Sequence, residues 1–116
     1  MPRNISFALT TDQIRNRAKT VTRRRGWRFV EVGDVLNACV KCMGLQPGEK
    51  IERLCQIRVT SVRREPLREI TREDCVAEGF PGMSPVEFVD MFCGHMGGRL
   101  SQEVTRIEFE YLEVTQ

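Results

Sequence analysis

Lys19 and Thr22 lie three residues apart in the segment 18–25, directly ahead of Arg23, Arg24 and Arg25. An amine can activate a hydroxyl as a nucleophile, and guanidinium groups grip phosphate. The segment therefore points to a small catalytic site, to a nucleic-acid grip, or to both. Amide hydrolysis needs a nucleophile, a base for it and donors for the developing oxyanion. Thr22 supplies a hydroxyl. Lys19 is a poor base at an ordinary lysine pKa of about 10.4, so that role requires a lowered value. Arg17, Arg23 and Arg24 push it down and a nearby carboxylate pushes it up, and the balance rests on what the fold brings together. Arg24 is the candidate for holding a phosphate or a carbonyl oxygen.

The other chemistry-bearing residues point elsewhere. Cys39-x-x-Cys42, Cys93 and His95 make four zinc ligands by count. A strand across residues 34–42 would put Cys39 and Cys42 on opposite faces, however, and Cys-x-His is not finger spacing. Five cysteines, an odd number, with no secretion signal fit buried free thiols better. No metal or cofactor is expected. His95 is the sole histidine; a surface turn suits it, and a single histidine argues against a nuclease built on two. Metal-assisted RNA cleavage through Glu78 and other carboxylates stays open, though no clustered acidic pair points to it. Trp27, the only tryptophan, could stack on a base, but its flanking valines favour packing at the core edge.

At 116 residues the chain is expected to be one domain, 1–116, with ordinary hydrophobic (41%) and charged (29%) content. No apolar run approaches the roughly 20 residues of a membrane span, and no signal peptide opens the chain, so a cytoplasmic location is expected. Residues 1–28 hold eight basic side chains against Asp12 alone, a sum of +7, which leaves −5 for the rest of a chain of net charge +2. A basic segment on an acidic domain is either a footprint for a polyanion or a solvated arginine-rich surface.

Several elements must position these residues. Ile5, Phe7 and Leu9 alternate as in a half-buried strand. Thr10, Thr11 and Asp12 provide caps for a short helix over 13–17. The basic segment 21–27 reads as extended and lying on the surface. Strands follow over 35–43 and 55–63, the second closed by Pro66, with a loop or hairpin tip at 44–50. Thr71 and Asp74 form a capping arrangement with Gly79 as the stop, and Ser84-Pro85-Val86-Glu87 is a stronger helix start. Val86, Val89, Met91 and Phe92 form the apolar face of that second helix. Ile107, Phe109 and Tyr111 share one face of a last strand, opposite Glu108 and Glu110. This order is α+β, with too few helices for a parallel βαβ sheet.

In that order the chain resembles an ASCH domain, the small β-barrel family related to PUA domains. The matching pieces are the Ile-Ser-Phe strand at 5–7, Lys19-Thr20-Val21-Thr22-Arg23-Arg24, Val32-Gly33-Asp34-Val35-Leu36, Ile70-Thr71-Arg72-Glu73-Asp74, Ala77-Glu78-Gly79-Phe80 and the strand at 104–111. The resemblance implies a PUA-like open β-barrel of about five to six strands with two or three short helices. It also implies an RNA-binding or RNA-processing role. One branch of the family resembles a small amidohydrolase that removes the acetyl group from acetylcytidine, and its catalytic lysine, threonine and glutamate fall on Lys19, Thr22 and Glu78. The implied partner is a modified nucleoside or RNA, and the positive charge of Arg23, Arg24 and Arg25 is the candidate contact for it. This chain departs from that branch in its longer 39–50 region, in Gly79-Phe80-Pro81-Gly82 and in Arg25.

Three other readings stay open at this level. One is a non-catalytic RNA-binding module, or an RNA-processing ribonuclease, using the same basic cleft. Another is a protein adaptor with an apolar patch around Phe80, Pro81 and Met83. The third is a plain Lys19–Glu78 ion pair, which at a surface would contribute about 0–1 kcal/mol and imply no function.

Overall fold

The computed structural model of the protein describes residues 2–113. Strand β1 (Arg3–Ser6) leads through helix α1 (Thr11–Arg15) into β2 (Val21–Arg24), β3 (Val35–Cys39) and the long β4 (Arg53–Pro66). A single 3-10 turn (Leu67–Glu69) then precedes α2 (Arg72–Ala77), α3 (Pro85–Met96) and β5 (Glu103–Tyr111). The five strands form one curled sheet, an α+β PUA-like open barrel, in the order β1-β3-β4-β5-β2. β1 pairs with β3 in parallel and every other pairing is antiparallel. The edges are therefore β1 and β2, the two strands that flank α1.

Alternation along β5 organises both sides of the sheet. Ile107 and Phe109 join Ile5, Phe7, Leu36 and Ile57 in one core cluster. Val104 points the other way, into a second cluster with Leu67, Ile70, Cys75, Phe88 and Phe92. Burying each such side chain is worth roughly 1.5–3 kcal/mol. Because β2 runs against β5 with Arg23 opposite Arg106 and Thr22 opposite Ile107, register sends Arg23 toward the helices and Thr22 toward the first core.

The segment expected on the surface is thus an internal edge strand: Val21, Thr22 and Arg23 are all buried. Local charge misled the reading, because the acids that neutralise Arg23 come from β4 and α2. The first helix starts two residues earlier than expected, with Thr11 Oγ1 donating to the Phe7 carbonyl at 2.8 Å. It ends before Arg17, whose φ of 57° turns the chain toward β2. Leu9 is half-exposed instead of continuing the strand. β3 stops at Cys39, where the register against β4 slips, and leaves Cys42 outside it.

Both helix starts follow the caps read from sequence. Thr71 Oγ1 accepts from Asp74 N, and Ser84 with Glu87 forms a reciprocal capping box. The buried face of α3 is set by Phe88 and Phe92, one turn apart, while Val86 is 70% exposed. Phe80 and Met83 pack against the second cluster and do not form a patch of their own.

Gly79 ends α2 at φ +97°, and a Cβ there would lie 2.9 Å from Gln13 Cβ and 2.6 Å from its Cγ. Gly79→Ala is therefore expected to lower stability by about 1–3 kcal/mol through left-handed strain and the collision with α1. Urea denaturation beside Gly82→Ala, an open position, checks this; equal losses at the two sites would remove the argument.

Candidate functional site

The gap between the two sheet edges is a cavity of about 280 Å³. The end of β1 and the loop after it form one lip, β2 forms the other, and Phe88, Met91, Phe92 and Met96 of α3 close one side. Lys19, Thr22, Arg23, Arg24 and Glu78 all line it.

Glu78 sits at the C-terminal cap of α2, where helix carbonyls lack intrahelical partners. The incoming segment satisfies them: Thr20 N donates to the Ala77 carbonyl at 2.8 Å, and Lys19 Nζ donates to the Glu78 carbonyl at 2.9 Å. The same amine donates to Glu78 Oε1 at 2.6 Å, and both side chains are only 3% exposed. Tyr111 Oη holds the Lys19 carbonyl at 2.5 Å, and burial pushes that phenol up to about 12. Burial lowers the Lys19 pKa; Glu78 opposes the shift, and Arg24 and Arg23 reinforce it. The balance that the sequence left open falls toward the neutral amine, the form that can accept a proton.

Thr22 is held by a different partner. Arg24 Nε donates to Thr22 Oγ1 at 3.1 Å, and its far nitrogen donates to the Ser6 carbonyl across the gap at 2.6 Å. The guanidinium lies 4.8 Å over the Phe7 ring, a stabilising cation–π contact. Burial lowers the Arg24 pKa to about 10. Lys19 makes its hydrogen bonds to Glu78 and none to Thr22, so the three residues meet at one cavity as a Lys19–Glu78 pair beside an Arg24–Thr22 pair.

Arg23 and Arg25 are placed differently from Arg24. The Arg23 side chain is 0% exposed and donates to Glu78 Oε2 at 3.3 Å, to Glu65 at 2.9 Å and to Asp74. Its Nε is the one buried side-chain polar atom lacking a partner among the described residues. Arg106 grips Asp74 through two bonds of 2.8 and 3.0 Å. Arg25 lies outside the cavity, exposed, donating to the Met96 carbonyl at the end of α3 at 2.7 Å. Glu65, Asp74 and Arg106 were not singled out from sequence as site residues. The available signal was Arg106, two residues from Val104 on the helix-facing side of β5, where a charge needs a buried partner.

Among the described residues no group of three or more His, Cys, Asp or Glu side chains is arranged to share a metal ion, so Cys39, Cys42, Cys93 and His95 do not form a ligand set. The cysteines are free thiols, with Cys39 and Cys75 buried. His95 lies exposed in the last turn of α3, not in a loop. Trp27 is half-buried against the first core and 5.0 Å from the Phe29 ring.

No family model matches the sequence, and no curated protein matches it. Among solved structures, the ASCH domain from Lactobacillus crispatus JV V101 superposes with a TM-score of 0.67 at 14% identity, covering 94% of this chain and 78% of that one. The chain has the ASCH-domain fold. The hypothetical protein PH0355 also has a TM-score of 0.67, at 17% identity, over 97% of this chain and all of its own. Protein EF3133 from Enterococcus faecalis V583 follows at 0.60 and 14%, over 97% of this chain and 80% of that one. At these identities the likeness is one of fold.

Asp74 anchors the charges behind the cavity. Hydrogen bonds from Arg106, and next from Arg23, hold its carboxyl well below the usual range against the opposing effect of burial. A depressed folded pKa gives stability that is fully present above the unfolded value of about 3.9 and lost as pH falls through the folded one. Asp74→Asn is expected to cost about 3–5 kcal/mol at neutral pH, with the gap to wild type closing under acid. Denaturation curves at several pH values check this; a gap that widened in acid would reverse the assignment.

Proposed function

We propose that the cavity binds an acylated, acetylcytidine-like nucleoside and hydrolyses its amide, with Thr22 as nucleophile, Lys19 as base and Glu78 as orienting and proton-transferring carboxylate. The observation that carries this reading is a buried lysine of lowered pKa lining one small cavity with a threonine hydroxyl that an arginine already holds. The volume lies just below the roughly 300–1,000 Å³ usual for small-molecule pockets, which suits a single base and its acyl group.

In this reading Thr22 Oγ1 attacks the acyl carbonyl carbon, and its proton passes to the Lys19 amine, whose neutral form burial favours. Arg24 Nε already donates to that oxygen, so it stabilises negative charge on Oγ1 while leaving the hydroxyl hydrogen free to depart. The C–N bond breaks as the proton passes from Lys19, with Glu78 orienting it, to the leaving nitrogen. Water, deprotonated by Lys19, then attacks the Thr22 ester; the C–O bond breaks as Lys19 returns that proton to Thr22 Oγ1, and the acid leaves. Direct contact between Lys19 and Thr22 is required only with substrate present, since catalytic hydrogen bonds often tighten in the complex.

The non-catalytic RNA-binding module is less well supported. Arg23 and Arg24 turn inward, and Arg15, Arg58 and Arg64 pair with Glu52, Glu110 and Glu103. Such pairing reduces the exposed positive charge that phosphate contacts need. A ribonuclease of the two-histidine kind lacks its second histidine.

The test is hydrolysis of acetylcytidine followed by chromatography, beside Lys19→Ala, Thr22→Ala and Glu78→Ala checked for folding by circular dichroism. Wild-type turnover should fall at least about 100-fold in each variant. A folded Thr22→Ala that still turns over at the wild-type rate would remove the nucleophile assignment. Absence of wild-type turnover would sink the acetylcytidine reading.

A further inference from the structure

Behind the cavity, charges alternate in a row. Lys19 Nζ meets Glu78 Oε1 at 2.6 Å, Glu78 Oε2 meets Arg23 at 3.3 Å, Arg23 bonds Asp74 and Glu65, and Asp74 is gripped by Arg106. Each carboxylate oxygen of Glu78 has its own cation, and neither side chain of the Glu78–Arg23 contact reaches solvent beyond 3%. We propose that Arg23 is a positioning residue: a buried guanidinium that takes one oxygen of Glu78 while Lys19 takes the other, holding the carboxylate in place and dividing its charge between two cations.

The need for such a residue follows from the chemistry proposed above, on which its role in turnover rests. Burial favours the neutral Lys19 amine most strongly, and a carboxylate at hydrogen-bond distance opposes it by favouring the charged form. The tighter that carboxylate's grip, the less the amine can act as a base. A second cation on the far oxygen weakens the grip of the carboxylate on the amine and repels the ammonium directly. Asp74 and Glu65 set how strongly Arg23 does this: they neutralise part of its charge and fix its fork, while Arg106 keeps Asp74 ionised. Register supports the division of labour. Arg23 lies opposite Arg106 on the helix-facing side of the sheet, whereas Thr22 and Arg24 project to the other side. The neighbouring arginines of one strand therefore serve separate members of the site, Arg24 the hydroxyl and Arg23 the carboxylate.

The groups that face the Lys19 amine are Glu78 from the end of α2, Arg23 and Arg24 from β2, and the Phe7 ring at 6.0 Å after β1. From β5, Tyr111 bonds only the Lys19 carbonyl. Arg23 is thus one of two cations acting on the amine, and the one that also touches its carboxylate.

The chain holds three lysines, at 19, 41 and 50, so the Lys19 side chain can be followed by NMR of protein labelled with ¹³C-lysine. Lys41→Arg and Lys50→Arg assign the signals. Arg23→Met should raise the Lys19 titration midpoint by about one pH unit. Asp74→Asn, which strips a counter-charge from Arg23, should lower it. Arg23→Lys keeps the charge and loses the fork, so the midpoint should stay near wild type while kcat on acetylcytidine falls about tenfold at unchanged KM. Shifts of opposite sign in two variants of one cluster are not produced by loosened packing. An unchanged midpoint in Arg23→Met, or shifts of the same sign in both variants, would overturn the assignment. If Arg23→Met does not fold, Glu65→Gln at the edge of the network reads the same relay: a lowered midpoint supports it, and an unchanged one overturns it. An inactive wild type whose Lys19 moves as stated would sink the hydrolase reading and leave Arg23 as the residue that divides the Glu78 charge.

Discussion

The structure depends on the Glu78 carboxylate, buried and shared between Lys19 and Arg23. Taking an ion out of water costs several kcal/mol even after the protein relaxes, and only close, well-bonded partners offset it. Glu78 meets this requirement with two cations, Arg23 with three carboxylates, and Asp74 with two guanidinium groups. The network ties β2, β4, β5 and α2 together through charges that cannot be removed singly. Its geometry also decides where the helices sit, because α2 must present Glu78 and Asp74 to the same arginine.

That constraint explains why the barrel stays open. With β1 and β2 as the two edges, backbone pairing between them would close the gap that Lys19, Thr22 and Glu78 line. Among the described residues Arg24 bridges the two edges by reaching the Ser6 carbonyl. This bridge spans the opening without sealing it, and it places an arginine over Thr22. Phe88 and Phe92 of α3 add apolar surface to the same lining. The lining combines charged groups with apolar and aromatic side chains, a combination that suits a ligand having one reactive carbonyl and one flat ring.

Much of the framework was legible in the chain. The capping residues Thr71 and Ser84 mark both helix starts, because a side-chain oxygen three residues ahead of a free amide acts locally. The alternation of Ile107, Phe109 and Tyr111 marks β5 because a strand exposes its two faces with period two. Lys19, Thr22 and Glu78 were picked out by resemblance in motif order, and they line one cavity. The basic run was misread because its partners, Glu65 and Asp74, lie 42 and 51 residues away. A run of arginines looks solvated when only its neighbours are considered. The Val86 error is of the same kind: helical period admits several apolar stripes, and packing against Leu67 and Val104 selects the one with Phe88 and Phe92.

The sequence by itself determined the α+β element order, the caps, the inward faces of the later strands and the presence of an amine and a hydroxyl at short spacing, since each rests on contacts within a few residues. Tertiary structure alone decided which arginine serves which group. It turned Arg24 to Thr22, turned Arg23 to Glu78 and left Arg25 in solvent. It also decided the sign of the Lys19 shift, which depends on burial first and on charges brought from α2 and β2 second. Desolvation and long-range pairing are properties of a place in the fold, and a linear chain does not carry them until β2 docks against β5 and α2 delivers Glu78 to the gap.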